Sequence, residues 1–250
     1  MFNKETSTIN MESVTTITFY IARHGKTLMN TLDRVQGWCD SPLTKEGIEV
    51  AEFLGLGLQN IHFESVYTSD LRRTRQTAEI ILKKQGQVDL PITEIFGFRE
   101  ACFGSYESDS NLRMWKDASL YLQYERQEDM YKDVFEGKIS SAEILDAITK
   151  LDQLEMAENF HQLETRTQNA LFDIAQKELG KGKNTNILIV AHGMSIIGML
   201  LNLGARKYLR SPLVNASVCK VLYKNGEFEV VSMGDTTYVE KGKNINQKEK

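Results

Sequence analysis

The sequence predicts an α/β domain: a three-layer sandwich with helices on both faces of a largely parallel sheet. Three observations carry this. Charge-free runs rich in β-branched residues, at 16–22 and 187–191, alternate with segments whose apolar residues recur at helical spacing. Both runs end in a His-Gly pair, at His24-Gly25 and His192-Gly193, where the carboxyl ends of parallel strands hold ligands. At 250 residues and 41% hydrophobic content, the chain can bury a sizeable core without disulfides.

In order, residues 1–13 read as a polar, flexible leader, and one domain follows over 14–235. The first strand, Thr16 to Ala22, runs into Arg23-His24-Gly25. Gly25 is read as the residue that lets the backbone turn and approach a ligand. Asp40-Ser41-Pro42-Leu43-Thr44 is a turn with Thr44 as N-cap of a helix whose apolar or small face is Ile48, Ala51, Leu54, Gly55 and Leu58. A short strand, Ser65 to Tyr67, leads to a second helix with Arg72, Arg73 and Arg75 in its first turn. Cations there oppose the helix dipole unless an anion is bound, and a solvated basic face accounts for at least one of them.

Ile92 to Phe96 reads as a strand before Phe98-Arg99-Glu100. Residues 105–158 form a helical insertion carrying thirteen acidic against six basic residues, with Tyr106, Trp115, Tyr121, Tyr124 and Tyr131. No Pro- or Gly-rich linker sets it apart, so it belongs to the same domain. It is expected to cap the pocket, although its aromatics also fit plain helix packing. A long amphipathic helix from Phe160 precedes the strand Ile187 to Ala191. A helix over Met194 to Leu203 follows, then a hairpin around Asn225-Gly226. Residues 240–250 read as a charged, flexible tail.

The net charge of −4 argues against a general nucleic-acid binder. Three scattered cysteines, Cys39, Cys102 and Cys219, give neither a zinc spacing nor a disulfide framework. No secretory leader or bilayer-length apolar run is present, so the expected compartment is the cytoplasm, without a membrane partner. Oligomeric state is not encoded legibly.

The chemistry lies in what the strand ends gather. Two imidazoles, His24 and His192, with guanidinium groups of Arg23 and Arg73, suit a tetrahedral dianion. Fixed charge beside His24 favours its neutral, nucleophilic form; His192, protonated once phosphate binds, would donate to it. Glu100, among apolar Phe98, Ala101 and Phe103, is the candidate proton donor to a leaving alkoxide. A metal site fits poorly, because Arg23 would face a dication and no carboxylates stand at ligand spacing. His192-Gly193-Met194-Ser195 is not a nucleophile elbow. His62 and His161 read as surface or packing residues.

Arg23-His24-Gly25-Lys26-Thr27, Asn30, Gln36-Gly37-Trp38, Asp40 to Thr44 with Gly47, Tyr67 to Ala78, Arg99-Glu100, Phe103-Gly104 and Ala191-His192-Gly193 together resemble the histidine phosphatase superfamily, the phosphoglycerate-mutase-like fold. The resemblance implies a phosphorylated His24 and Glu100 as acid, with Arg23, Arg73 and His192 stabilising the transferring group. It places Arg23, Asn30, Arg73, His192 and Gly193 in the phosphate pocket, with Gln36 and Gly37 at its rim. It implies neither metal nor organic cofactor; the partner is a small phosphorylated substrate or inorganic phosphate. Asn30 and Gln36 also suit a plain loop-ordering role. The block around Glu100 is nearer the phosphatase branch than the mutases, and Tyr106-Glu107-Ser108 departs from that branch's usual Trp-Glu-Gly. The expected activity is phosphomonoester hydrolysis. A phosphoglycerate mutase and a non-catalytic phospho-ligand binder are the alternatives.

Overall fold

The computed structural model describes residues 15–209 and 211–248; the leader, 1–13, lies outside the described residues. The elements in order are β1 (Ile17–Arg23), α1 (Leu28–Thr31), α2 (Lys45–Gly57), β2 (Ser65–Thr68), α3 (Arg72–Gln85), β3 (Ile92–Glu94), α4 (Asn111–Tyr121), α5 (Gln127–Phe135), α6 (Ser141–Leu151), α7 (Phe160–Leu179), β4 (Thr185–Ala191), α8 (Gly193–Leu200), β5 (Val218–Lys224), β6 (Glu227–Asp235) and α9 (Thr237–Lys248). Six strands form one sheet in the order β3-β2-β4-β1-β5-β6. The first four are parallel and the β5–β6 hairpin closes the far edge antiparallel. Among the described residues no helix is long and apolar enough to cross a membrane.

The central strands β1 and β4 are buried on both faces, which is why they read as continuous apolar runs. Ile17, Phe19 and Ile21 of β1, with Ile187 and Ile189 of β4, face one core, where α7 and α8 contribute Leu163, Leu171, Ile196 and Met199. The alternate residues Tyr20, Ala22, Leu188 and Val190 face a second core with Phe53 and Leu54 of α2 and Ile81 and Leu82 of α3. Period-two alternation therefore supplies the two interfaces of a three-layer sandwich. Asn225 and Gly226 take φ of 54° and 83°, the two left-handed residues a tight hairpin turn requires. Thr44 accepts from the Gly47 amide as the N-cap of α2.

The insertion folds as α4–α6 onto the α7–α8 side. Its Met114, Ala118, Met130, Ile144, Leu145 and Ile148 join the same core as β1 and β4, so it shares the domain's interior. Its charges are paired along its own surface, as in Asp109–Arg113, Asp129–Arg126 and Asp133–Lys138. Tyr106 and Tyr124 donate to Asp117 and Asp133, structural roles rather than ligand-facing ones.

Three expectations need correction. The strand expected over 92–96 stops at Glu94, and Phe96–Phe98 forms a 3₁₀ turn that drops Phe98 into the core. The helix expected to Leu203 is α-helical only to Leu200; a 3₁₀ turn finishes it, and Gly204 ends it at φ 93°. The larger miss is 240–250. Through Lys248 it continues α9, which packs lengthwise on α2 and buries Val239 and Gly242. Glycine there signified close approach, not disorder. A Cβ on Gly242 would run into the Phe53 carbonyl, and one on Gly57 into the Tyr238 carbonyl. Gly242→Ala should therefore lower stability by about 1–3 kcal/mol through overpacking. A thermal or urea melt checks this; an unchanged midpoint would show that α9 does not hold this contact.

Candidate active site

Parallel pairing of β1 with β4 sets Arg23 opposite Ala191, and the His24 amide donates to the Ala191 carbonyl at 3.0 Å. The next residue on each strand is a histidine. The two rings stand 5.2 Å apart, inclined at 62°. His24 Nδ1 lies 2.8 Å from the Gly25 carbonyl; a carbonyl only accepts, so the proton sits on Nδ1 and the lone pair on Nε2. Burial, more than Arg73 and Arg23, holds the His24 pKa well below the ordinary imidazole value. The neutral ring expected from adjacent charge thus owes most to desolvation. Gly25 does not take a left-handed φ and serves α2 instead: a Cβ there would lie 2.6 Å from the Gly47 carbonyl.

Arg73 opens α3 and is fully buried. It donates from Nε to His192 Nδ1 at 3.0 Å, and through its terminal nitrogens to Cys39 O, Asp40 Oδ1 and Gly37 O at 2.8–3.0 Å. Four of the five guanidinium hydrogens are thereby engaged with protein. Because Arg73 donates to Nδ1, the His192 ring is neutral with its proton on Nε2, 2.8 Å from Ser69 Oγ. Burial again pushes its pKa well down; the protonated His192 expected from sequence belongs to the phosphate-bound state. Arg75 turns outward to Glu79 and Glu94, and Arg72 is exposed.

Glu100 is buried at the start of α8, where its carboxylate accepts from the amides of Ala101, Met194 and Ser195 at 2.8–3.0 Å. Burial raises its pKa against the pull of those amides and of both arginines. Arg23 donates to the Leu213 carbonyl, while its Nε is buried with no protein partner among the described residues. Gly193 lies between Arg23 and Glu100: a Cβ there would be 3.7 Å from each. Asn30 and Thr27 form a capping box, and Gln36 bridges Thr27 Oγ1 and Ser41 Oγ. Both side chains therefore order their loop.

These residues floor a cavity of about 450 Å³. Arg23, His24, Asn30, Gln36, Glu100 and Gly193 line it, while Arg73, His192 and Gly37 stand immediately behind. Its walls come from the insertion, chiefly Met114, Trp115, Val134, Phe135, Ile144 and Ile148. Their aliphatic and aromatic atoms close over a polar floor.

A family model described as the histidine phosphatase superfamily, branch 1, matches residues 19–236. The chain belongs to that superfamily. A probable phosphoglycerate mutase, GpmB, of Erwinia tasmaniensis is 28% identical over 234 residues, covering 88% of this chain and 94% of that protein. A phosphoglycerate mutase from Bacillus anthracis is similar in structure, with TM-score 0.84 and 36% identity over 92% of this chain and 98% of that one. An Entamoeba histolytica phosphoserine phosphatase shares the fold, with TM-score 0.64 at 22% identity over 89% of this chain and 99% of that one.

In this superfamily member several supporting residues escaped sequence reasoning. Glu107 accepts the amides of Gly37, Trp38, Cys39 and Phe103, so one carboxylate ties the rim loop to the insertion. The following Ser108 takes φ 68°, a conformation glycine adopts more readily. Arg166 of α7, paired with Glu158, donates to the carbonyls of Gly97, Arg99 and Glu100 and fixes the backbone carrying the acid. Asn215 donates to the His24 carbonyl. Helix-interior spacing or a lone Asn carries no signal for any of these.

The pKa directions fix how stability varies with pH. Unfolding lets His24 and His192 bind protons that the native state excludes, so stability falls as pH drops below about 6.5. Glu100, raised, works oppositely above its ordinary value, but one carboxyl opposes two imidazoles. Between pH 6 and 5 urea melts should lose up to about 1.4 kcal/mol per histidine. His192→Asn should flatten that slope; equal slopes would refute the neutral buried ring.

Proposed function

We propose that this chain is a phosphomonoesterase for small phosphorylated metabolites, working through a phosphohistidine at His24. The observation that carries it is the His24 tautomer: Nδ1 is committed to the Gly25 carbonyl and burial keeps the ring uncharged, so Nε2 holds a nucleophilic lone pair beside two guanidinium groups.

In the proposed sequence, Nε2 attacks phosphorus as the P–O ester bond breaks. The leaving alkoxide takes its proton from Glu100, whose raised pKa suits an acid. Water then attacks phosphorus as the N–P bond breaks and its electron pair returns to Nε2; Glu100 takes a proton from the water, and inorganic phosphate leaves with His24 restored. The unpartnered Arg23 Nε and the Asn30 amide supply donors to the phosphoryl oxygens. Arg73, with most of its donors engaged, acts through its charge and by orienting His192.

A second reading, phosphoglycerate mutase, is favoured by the names of the Erwinia and Bacillus relatives. In that reaction the phosphoryl group on His24 passes to a hydroxyl of the phosphoglycerate rather than to water.

His24→Ala should abolish turnover and the acid-labile phosphoenzyme while keeping a native circular-dichroism spectrum; wild-type hydrolysis by this variant would end the assignment. Glu100→Gln should lower kcat on alkyl phosphates by roughly 10²–10⁴-fold, and less on esters of acidic phenols, whose leaving group needs no proton. Conversion of 3-phosphoglycerate to 2-phosphoglycerate, measured with and without bisphosphoglycerate, should be much slower than phosphate release. The reverse ranking would establish the mutase.

A further inference from the structure

The cavity divides sharply by chemistry. Its charged groups are few: among the described residues Arg23 and Arg34 are the Lys/Arg cations of the lining and Glu100 the carboxylate. The insertion contributes none of its thirteen carboxylates and none of its six cations to the lining. Those charges are spent elsewhere, in surface pairs such as Arg126 with Asp129 and Lys138 with Asp133, or on backbone amides, as with Glu143 at Ser140 and the buried Asp152 at Ser105. What the insertion turns to the cavity is mostly apolar: Met114, Val134, Phe135, Ile144 and Ile148, with Trp115 and Tyr131 edge to face at 6.0 Å, and only Asn111 and Ser141 as further polar side chains. The Tyr131 hydroxyl accepts from Gln127, and burial pushes its pKa up to about 12, so it stays neutral.

A phosphate needs only the floor. A volume of about 450 Å³ falls in the range of pockets that enclose a whole small molecule. The atoms of the ester's alcohol portion would therefore lie against aliphatic and aromatic carbon. A carboxylate-bearing alcohol would meet no cation on that wall, and a polyhydroxy one only Asn111, Ser141 and the Tyr131 hydroxyl, so either would lose hydrogen bonds it makes in water.

Building on the phosphomonoesterase reading, we infer that the preferred substrate carries an apolar, aromatic or branched aliphatic alcohol that packs on the α4–α6 wall, with Trp115 as its principal contact. The wall selects this class over sugar, glycerol and glycerate phosphates.

The test compares 3-phenylpropyl phosphate with sn-glycerol 3-phosphate. Both are primary alkyl monoesters, so the bond broken is alike and kcat/KM differs through the alcohol. The phenylpropyl ester should be favoured at least about tenfold. Trp115→Ala should shrink that ratio about tenfold, and Val134→Thr, which adds a hydroxyl at nearly constant volume, should shrink it too if the tryptophan variant fails to fold. Equal or reversed preference, or a ratio that both variants leave unchanged, overturns the inference.

Binding separates this result from the parent reading. 3-Phenylpropylphosphonate, which has no ester bond to cleave, should bind at least about tenfold more tightly than methylphosphonate. If it does so while neither ester is hydrolysed, the apolar wall stands and the phosphatase reading falls. If both esters turn over without phosphonate preference, the converse holds.

Discussion

The parallel pairing of β1 with β4 is the constraint on which the rest depends. One register, Arg23 opposite Ala191, delivers two histidines to the same edge as immediate neighbours. A slip of one residue would send both ring-bearing positions to opposite faces and exchange the two cores. The sheet interior is built to prevent that slip. Successive residues of β1 and β4 alternate between Ile or Phe on the α7–α8 side and Tyr, Ala, Leu or Val on the α2–α3 side, all buried. The position of the chemistry is thus a by-product of core packing.

Around that edge, each candidate catalytic group is oriented by a neighbour. The Gly25 carbonyl selects the His24 tautomer, Arg73 selects that of His192, and the first amides of α8 seat Glu100. Arg166 and Glu107 then secure the backbone on either side. Four of the five Arg73 donor hydrogens are engaged in this positioning, while its charge stays beside the histidines.

The fold class and the central residues were legible because they rest on local patterns: apolar runs, a His-Gly at each of two strand ends, and a separated set of blocks typical of one superfamily. What was not legible depended on long-range geometry. Gly242 and Gly57 look alike in a disordered tail, a helix end or a tight helix crossing; only the packed partner decides. For Gln36 and Asn30 the sequence left a loop-ordering role open beside the pocket role, and their hydrogen bonds order the loop. The tautomer of His192 follows from Arg73, an arginine far away in sequence that donates to Nδ1. Burial outweighed neighbouring charge in both histidines, a balance that sequence proximity does not disclose.

The seating of Glu100 on the first turn of α8 ties the charge of one carboxylate to the order of the backbone. Two amides of that turn bind its carboxylate strongly only while it is ionised, since a neutral carboxyl is a poorer acceptor. The same short helix carries Met194 and Ile197 to the apolar side of the cavity, so the backbone that holds the carboxylate also positions part of that wall.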